Sequence, residues 1–198
     1  VPARVTRITL AITFIVVSSV LFAPLSQTAT KFLAGEFPLF QILFFRSLGQ
    51  TAWMVIFFWH GHGLRMFKAK RPGIQMARST LLFVSTLLWT SVIAQVPLTT
   101  ASAINFTAPV MVVLLSIPFL GERVGRHRWS AVIVGFLGAV IIIQPGPDGI
   151  SMEMLMLLGA AFLFSVYQIL TRKVTAIDSA ATTSLYTVLV ALVVSAMV

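Results

Sequence analysis

Arg46 lies inside an apolar stretch, about eight residues or roughly 12 Å of helix beyond Pro38, where a charge is costly unless it is paired or hydrated. Two readings stand for it. The side chain snorkels outward or bonds a neighbouring helix carbonyl, or it is a cavity cation that draws in a carboxylate or another anion. Asn105 sits in a second apolar stretch with Pro109 one turn deeper. Proline leaves the carbonyl four residues before it without a donor, here that of Asn105 itself. A polar side chain beside a loosened backbone suits a binding cavity, and it equally suits contact between helices. Trp89 is either an aromatic of the membrane interface or a stacking wall for a ring-bearing ligand. Tyr167, Gln27 and Gln168 are candidates by the same reasoning, whereas Trp53 and Trp59 read as residues of the lipid interface.

Other chemistry is poorly supplied. His60 and His62 stand in an HGHG run without acidic or cysteine partners, so they lack the ligand set of a closed metal site. There is no cysteine, and the five carboxylates all fall in or beside loops. No nucleophile, acid or metal constellation therefore sits at membrane depth, which argues against an enzyme, and no cofactor motif is present. Glu122, beside Arg123 at a helix end, reads as an anchor. A buried carboxylate for proton coupling is missing too, since the first span, Ile8 to Thr30, contains no acid.

These residues need helices in lipid to hold them. About 17 to 25 apolar residues cross a hydrocarbon core near 30 Å thick, and seven segments qualify: Ile8 to Thr30, Pro38 to Trp59, Gln75 to Val96, Thr99 to Phe119, Trp129 to Ile143, Met152 to Leu170 and Thr182 to Val198. The fifth is short, and the loop around His127 or Gln144 is expected to lengthen it. Composition agrees, with 58% apolar residues, 10% charged and a mean hydropathy of +0.99. The expectation is an all-α, polytopic helical membrane protein in a lipid bilayer.

A net charge of +9 would ordinarily raise nucleic acid as a partner, but its distribution speaks against that. Arg4 and Arg7, then Arg65, Lys68, Lys70 and Arg71, then Arg123, Arg126 and Arg128, then Arg172 and Lys173 all fall on one side of the membrane when seven spans are threaded. The opposite loops hold Lys31, Glu36, Asp148 and Glu153. By the positive-inside rule the N-terminus is cytoplasmic. A cleaved signal peptide does not fit, because the first apolar segment is too long and paired spans follow it.

A weak repeat runs through this pattern. Leu21 to Phe32, LFAPLSQTATKF, aligns with Phe162 to Lys173, FLFSVYQILTRK, pairing Gln27 with Gln168, Thr30 with Thr171 and Lys31 with Arg172. The first span runs outward and the sixth inward, as an inverted five-helix repeat requires. The run from Arg78 through Trp89, the small residues Ala101 to Ala103, Pro109, and FLGERVGRHRWSAVIVGFLGAVIIIQPG from Phe119 to Gly146 resemble the EamA family of the drug/metabolite transporter superfamily. The Gly121-Glu122-Arg123 element before a glycine-rich helix is the most specific part. The resemblance implies ten helices in two inverted repeats, here residues 8–143 as the first and 152–198 as the start of the second. About three further helices are then expected after Val198, and Val1 in place of an initiator Met suggests trimming at the front.

The same resemblance implies an integral membrane transporter that moves a small polar or zwitterionic metabolite across the bacterial inner membrane by alternating access. The rival is a non-transporting receptor or assembly scaffold. A hydrated cavity between helices favours the first, and a core filled by Phe and Leu favours the second. Ala131, Gly135 and Ala139 keep small-xxx-small spacing, which permits close helix packing within the monomer or in a homodimer.

The charge pattern predicts a cytoplasmic loop at Arg65 to Arg71 and an outer loop at Gln144 to Glu153. Single cysteines introduced at Lys68 and Asp148 of this cysteine-free chain should react with an impermeant thiol reagent from opposite faces, Asp148 from the outside. Labelling of Asp148→Cys from the cytoplasmic face alone would reverse the topology.

Overall fold

The computed structural model describes residues 9, 12–14, 16–122, 124–143 and 151–197. Arg4, Arg7, Arg123, Asp148, Val198 and the expected outer loop as far as residue 150 lie outside the described residues. The regular structure described is helical throughout. A π turn, Ser18–Phe22, leads into α1 (Ala23–Glu36). It is followed by α2 (Leu39–His62), a 3-10 turn (Gly63–Phe67), α3 (Pro72–Ile93), α4 (Leu98–Asn105), α5 (Thr107–Leu120), α6 (Arg126–Ile143), α7 (Met152–Thr175) and α8 (Ala180–Ala196). Among the described residues, α2, α3, the α4–α5 pair and α7 are long and apolar enough to cross a membrane, and α8 is a shorter apolar helix.

The helices overrun the boundaries that hydropathy sets. α1 continues past Thr30 to Glu36 and α7 past Leu170 to Thr175. Long cationic side chains can stay in a helix and still reach polar partners. Lys31, expected in a loop, does so from within α1, donating from Nζ to the carbonyl of Val96 at 2.8 Å. At its N-terminus α6 takes in His127, starting at Arg126.

Proline sets the interior breaks. Pro24, which has no N–H to give to the preceding turn, stands just after the π turn, a device that admits an extra residue per turn at a bend. Pro109 divides the fourth span. The helix stops at Asn105, Phe106 forms a turn whose N–H reaches Ser102 and Ala103, and the Thr107 hydroxyl donates to the carbonyl of Ile104 at 2.6 Å. A third break, at Gly121, takes φ +66°, caps α5 through Ile117, and lets the Glu122 N–H reach the carbonyl of Ser116.

α3 and α7 form the centre of the bundle. α8 packs against both α2 and α3, α4 and α5 lie against α7, and α1 and α6 are peripheral. Small side chains allow the central approach, as expected where lipid removes the hydrophobic drive between helices. Ser85 donates to the carbonyl of Ala160 at 2.8 Å, and Ser165 to that of Ala108 at 3.1 Å. One buried cluster, Val92, Val96, Ala101, Ile104 and Leu157, closes around one end, and Met66, Ala181 and Leu185 form another near the opposite end. Outward surfaces are apolar: Leu25, Phe32, Phe45, Ile56, Val134 and Ile141 are all exposed, which suits contact with lipid chains.

Polar contacts between loops sort by end in agreement with the charge pattern. The Lys70 N–H donates to Asp178 at 2.9 Å, the Tyr186 hydroxyl to the carbonyl of Phe67 at 3.1 Å, and Glu122 bridges Arg128 and Arg172 at 3.4 and 3.5 Å. The loops with clustered cations therefore meet at one end, and the Lys31–Val96 contact marks the other. Glu122 is the anchor that its position suggested. Within the monomer Gly135 of the small-residue row of α6 makes no close helix contact: a Cβ there would meet no atom within 4 Å, and Ala131, Gly135 and Gly138 line an open groove of about 630 Å³ against α5.

The left-handed conformation at Gly121 gives a stability prediction. A Cβ there costs roughly 1–2 kcal/mol, so Gly121→Ala should lower unfolding stability in detergent by about that amount, and Gly121→Asn by less. Equal stability of both variants and the parent would remove the cap from the account.

Candidate functional site

Between α1, α2, α3, α7 and α8 runs a cavity of about 650 Å³. Its walls follow from helical phase. On α3 Arg78, Leu82, Ser85, Thr86 and Trp89 fall on one face, at helical spacing, and all of them line it. α7 contributes Phe164, Tyr167 and Thr171 with the same spacing, and α8 contributes Thr183 and Thr187.

Five of the six residues anticipated from sequence come together here: Gln27 from α1, Arg46 from α2, Trp89 from α3, Asn105 from the end of α4 and Tyr167 from α7. Arg46 keeps an exposed side chain on the wall, with Ser47 and Gln50 beside it. Trp89 is half-buried and rests against the cluster around Val92 and Leu157. Asn105 is exposed at the break before Pro109. The Tyr167 ring stacks on Phe164, with centroids 5.8 Å apart. Gln168 is half-buried and is not among the lining residues; it follows Tyr167 by one position, about 100° further round the helix. Trp53, assigned to the lipid interface from sequence, is largely exposed and stacked on Phe57, and it also borders the cavity. His60 is exposed, and among the described residues no three potential metal ligands cluster.

Sequence reasoning treated Arg46 as the cation within a span and passed over Arg78. Arg78 is 1% exposed, the largest of the fully buried side chains. Its Nη1 donates to Thr171 Oγ1 at 3.1 Å, and its Nη2 donates to the carbonyl of Thr183 and to Thr187 Oγ1, the latter at 2.6 Å. The guanidinium carbon lies 5.1 Å from the centre of the Tyr167 ring, within range of a cation–π contact. The Nε–H has no acceptor. Among the described residues, no carboxylate forms an ion pair with this guanidinium; those ion pairs are on Glu122. The missed signal is the polar face of α3 itself, in which Gln75, Arg78, Ser79, Ser85, Thr86 and Trp89 recur at helical spacing.

A second polar group adjoins it. Asp178, 8% exposed in the α7–α8 turn, accepts from the Lys70 N–H and from Gln75 Nε2, the latter at 3.0 Å, and Gln75 also donates to Thr183 Oγ1 at 3.3 Å. Gln75 Oε1 is buried without a partner. A chain of hydrogen bonds thus runs from the basic-end loops through Gln75 and Thr183 to Arg78 and the cavity. The wall offers two cations, amide and hydroxyl groups, and aromatic faces. That set can hold a small polar solute with an apolar or ring-bearing part.

Comparison with known proteins follows the same line. The chain is 29% identical over 170 residues to an S-adenosylmethionine uptake transporter of Rickettsia felis, covering 86% of this chain and 58% of that protein. A protein of the same name in Rickettsia bellii is 31% identical over 170 residues with the same coverage. A riboflavin transporter of Rhizobium johnstonii is 35% identical over 116 residues, 59% of this chain and 38% of that one. The chain therefore spans little more than half the length of the two Rickettsia relatives and less of the riboflavin transporter. No solved structure matches it. The profile of the EamA-like transporter family matches residues 9–144, and the chain belongs to that family.

Proposed function

We propose that this chain forms the cargo cavity of a bacterial inner-membrane transporter that moves a small polar or zwitterionic metabolite by alternating access, with its N-terminus cytoplasmic. The observation that carries this reading is the cavity: residues from separate helices, each singled out by its polarity or aromaticity at membrane depth, line one space of about 650 Å³. Polar groups in lipid are retained where they face water, ligand or one another. A scaffold would have filled this space with Phe and Leu.

In this reading Arg46 meets the negative group of the cargo, Trp89 and Tyr167 cover its apolar or ring portion, and Asn105 and Gln27 supply hydrogen bonds. The relatives named for S-adenosylmethionine and riboflavin supply the first cargoes to try, both ring-bearing and polar. Residues 8–143 would be one five-helix repeat and residues 152–198 the start of its inverted partner, the two rocking about the cavity.

The test is uptake by the full-length protein in proteoliposomes, using S-adenosylmethionine, riboflavin and a wider metabolite library. Hydrogen bonds to a charged group contribute about 1.5–3 kcal/mol, so Arg46→Ala should cut the uptake efficiency of an anionic cargo roughly 10- to 100-fold. Arg46→Lys, which keeps the charge and loses the planar fork, should fall between it and the parent. Unchanged uptake by well-folded Arg46→Ala, Trp89→Ala and Asn105→Ala would overturn the site, and no uptake of any library member would overturn the function.

A further inference from the structure

We infer that Arg78 is an anion-responsive clasp: it ties α3 to α7 and α8, and a carboxylate on the cargo releases that tie by competing for the guanidinium. The inference rests on the transport reading and goes beyond it to say how an occupant changes the shape of the cavity.

The geometry is specific. The guanidinium reaches two neighbouring helices at once, Thr171 on α7 and both Thr183 and Thr187 on α8. Each acceptor is neutral. Among the described residues no carboxylate balances the charge, so neutral acceptors alone hold the buried guanidinium. One of its donors, Nε–H, is buried with no acceptor, and such a group carries a desolvation cost that an arriving anion removes. The guanidinium's bonds to hydroxyl and carbonyl oxygens have one ionised partner, whereas a carboxylate adds the opposite charge and accepts two parallel N–H bonds from the planar fork. An anion in the cavity therefore wins the guanidinium from Thr183 and Thr187, whose hydroxyl and carbonyl remain bonded to each other at 2.9 Å. The α3–α8 seam loses its deepest cross-link without stranding those groups.

Position within the bundle gives the release a direction. Arg78 lies about 9 Å along α3 from its start at Pro72, near the basic end, whereas Arg46 lies about 10 Å along α2 from the opposite end. One cation thus meets an anion entering from the Leu39 end and the other waits deeper, beneath the Gln75–Asp178 contact that joins the two loops of the basic end. Cations at separate depths favour a singly charged group, such as a carboxylate, over a phosphate, which would recruit several donors at once.

The full-length protein in nanodiscs, carrying spin labels at Gly73→Cys on α3 and at Ala180→Cys, the first residue of α8, reports the seam. A Cβ on Gly73 would meet no atom within 4 Å, and both positions are exposed. Benzoate and benzamide serve as probes because they share a ring and differ in charge. Benzoate should shift the label separation to longer values in the parent, and benzamide at the same concentration should not. Arg78→Lys, which retains charge without the fork, should raise the half-effective benzoate concentration roughly tenfold, and Arg78→Gln should abolish the response. Arg46→Ala should weaken benzoate's potency yet leave the full shift at saturation. An unmoved seam in the parent, an equal response to benzamide, or a full response in Arg78→Gln overturns the clasp. Uptake of cargo in proteoliposomes stands or falls separately.

Discussion

A buried guanidinium with no counter-ion among the described residues constrains the helices around it. Arg78 can remain charged among apolar helices only while neutral acceptors surround it, so α7 must offer a hydroxyl at Thr171 and α8 a carbonyl and a hydroxyl at Thr183 and Thr187. Those demands fix the rotation of both helices about their axes. The Tyr167 face of α7 and the Thr183 face of α8 then point to the same space, and the cavity is what remains between them. Gln75, one turn earlier on α3, extends the same polar seam to Asp178 and the loops.

Two kinds of surface result. The exterior of α1, α2 and α6 is apolar and exposed, as a lipid-facing surface must be, and the interior is held by small residues and hydroxyl-to-carbonyl bonds. Buried clusters at Val92–Leu157 and at Met66–Leu185 sit near opposite ends, with the polar cavity between. Glycine and proline mark the places where the backbone departs from a straight helix: the π turn before Pro24, the break before Pro109 and the cap at Gly121.

The spans at α2, α3, α4–α5 and α7 were legible because hydrocarbon thickness leaves few options for long apolar runs. Their ends were not, since Lys31, Arg172 and Lys173 depress hydropathy while their stems let the helix continue. Arg46, Trp89, Asn105 and Tyr167 stood out as polar or aromatic groups inside such runs. Arg78 did not, although it was in plain view three residues into its span, because a cation so close to a helix end is within snorkelling reach of the interface. Gln168 shows a second limit: a helix's hydropathy does not tell which face meets lipid, and one residue turns the side chain by about 100°. Contacts such as Gln75 with Asp178, 103 positions apart, depend on which helices are neighbours, and hydropathy carries no information on that.

The central claim is that the space lined by Arg46, Arg78 and Tyr167 is a hydrated path, distinct from the lipid-facing surface. Cysteine accessibility tests it most directly, because the chain has none of its own. Single cysteines at Gln50, Thr86 and Ser184, which line the cavity, and at Ile133 and Val134, which face outward on α6, would be exposed in membranes to a small impermeant methanethiosulfonate reagent. The account predicts rapid modification at Gln50, Thr86 and Ser184 and little at Ile133 and Val134. Equal reactivity in the two groups, or protection of the cavity positions alone, would contradict it.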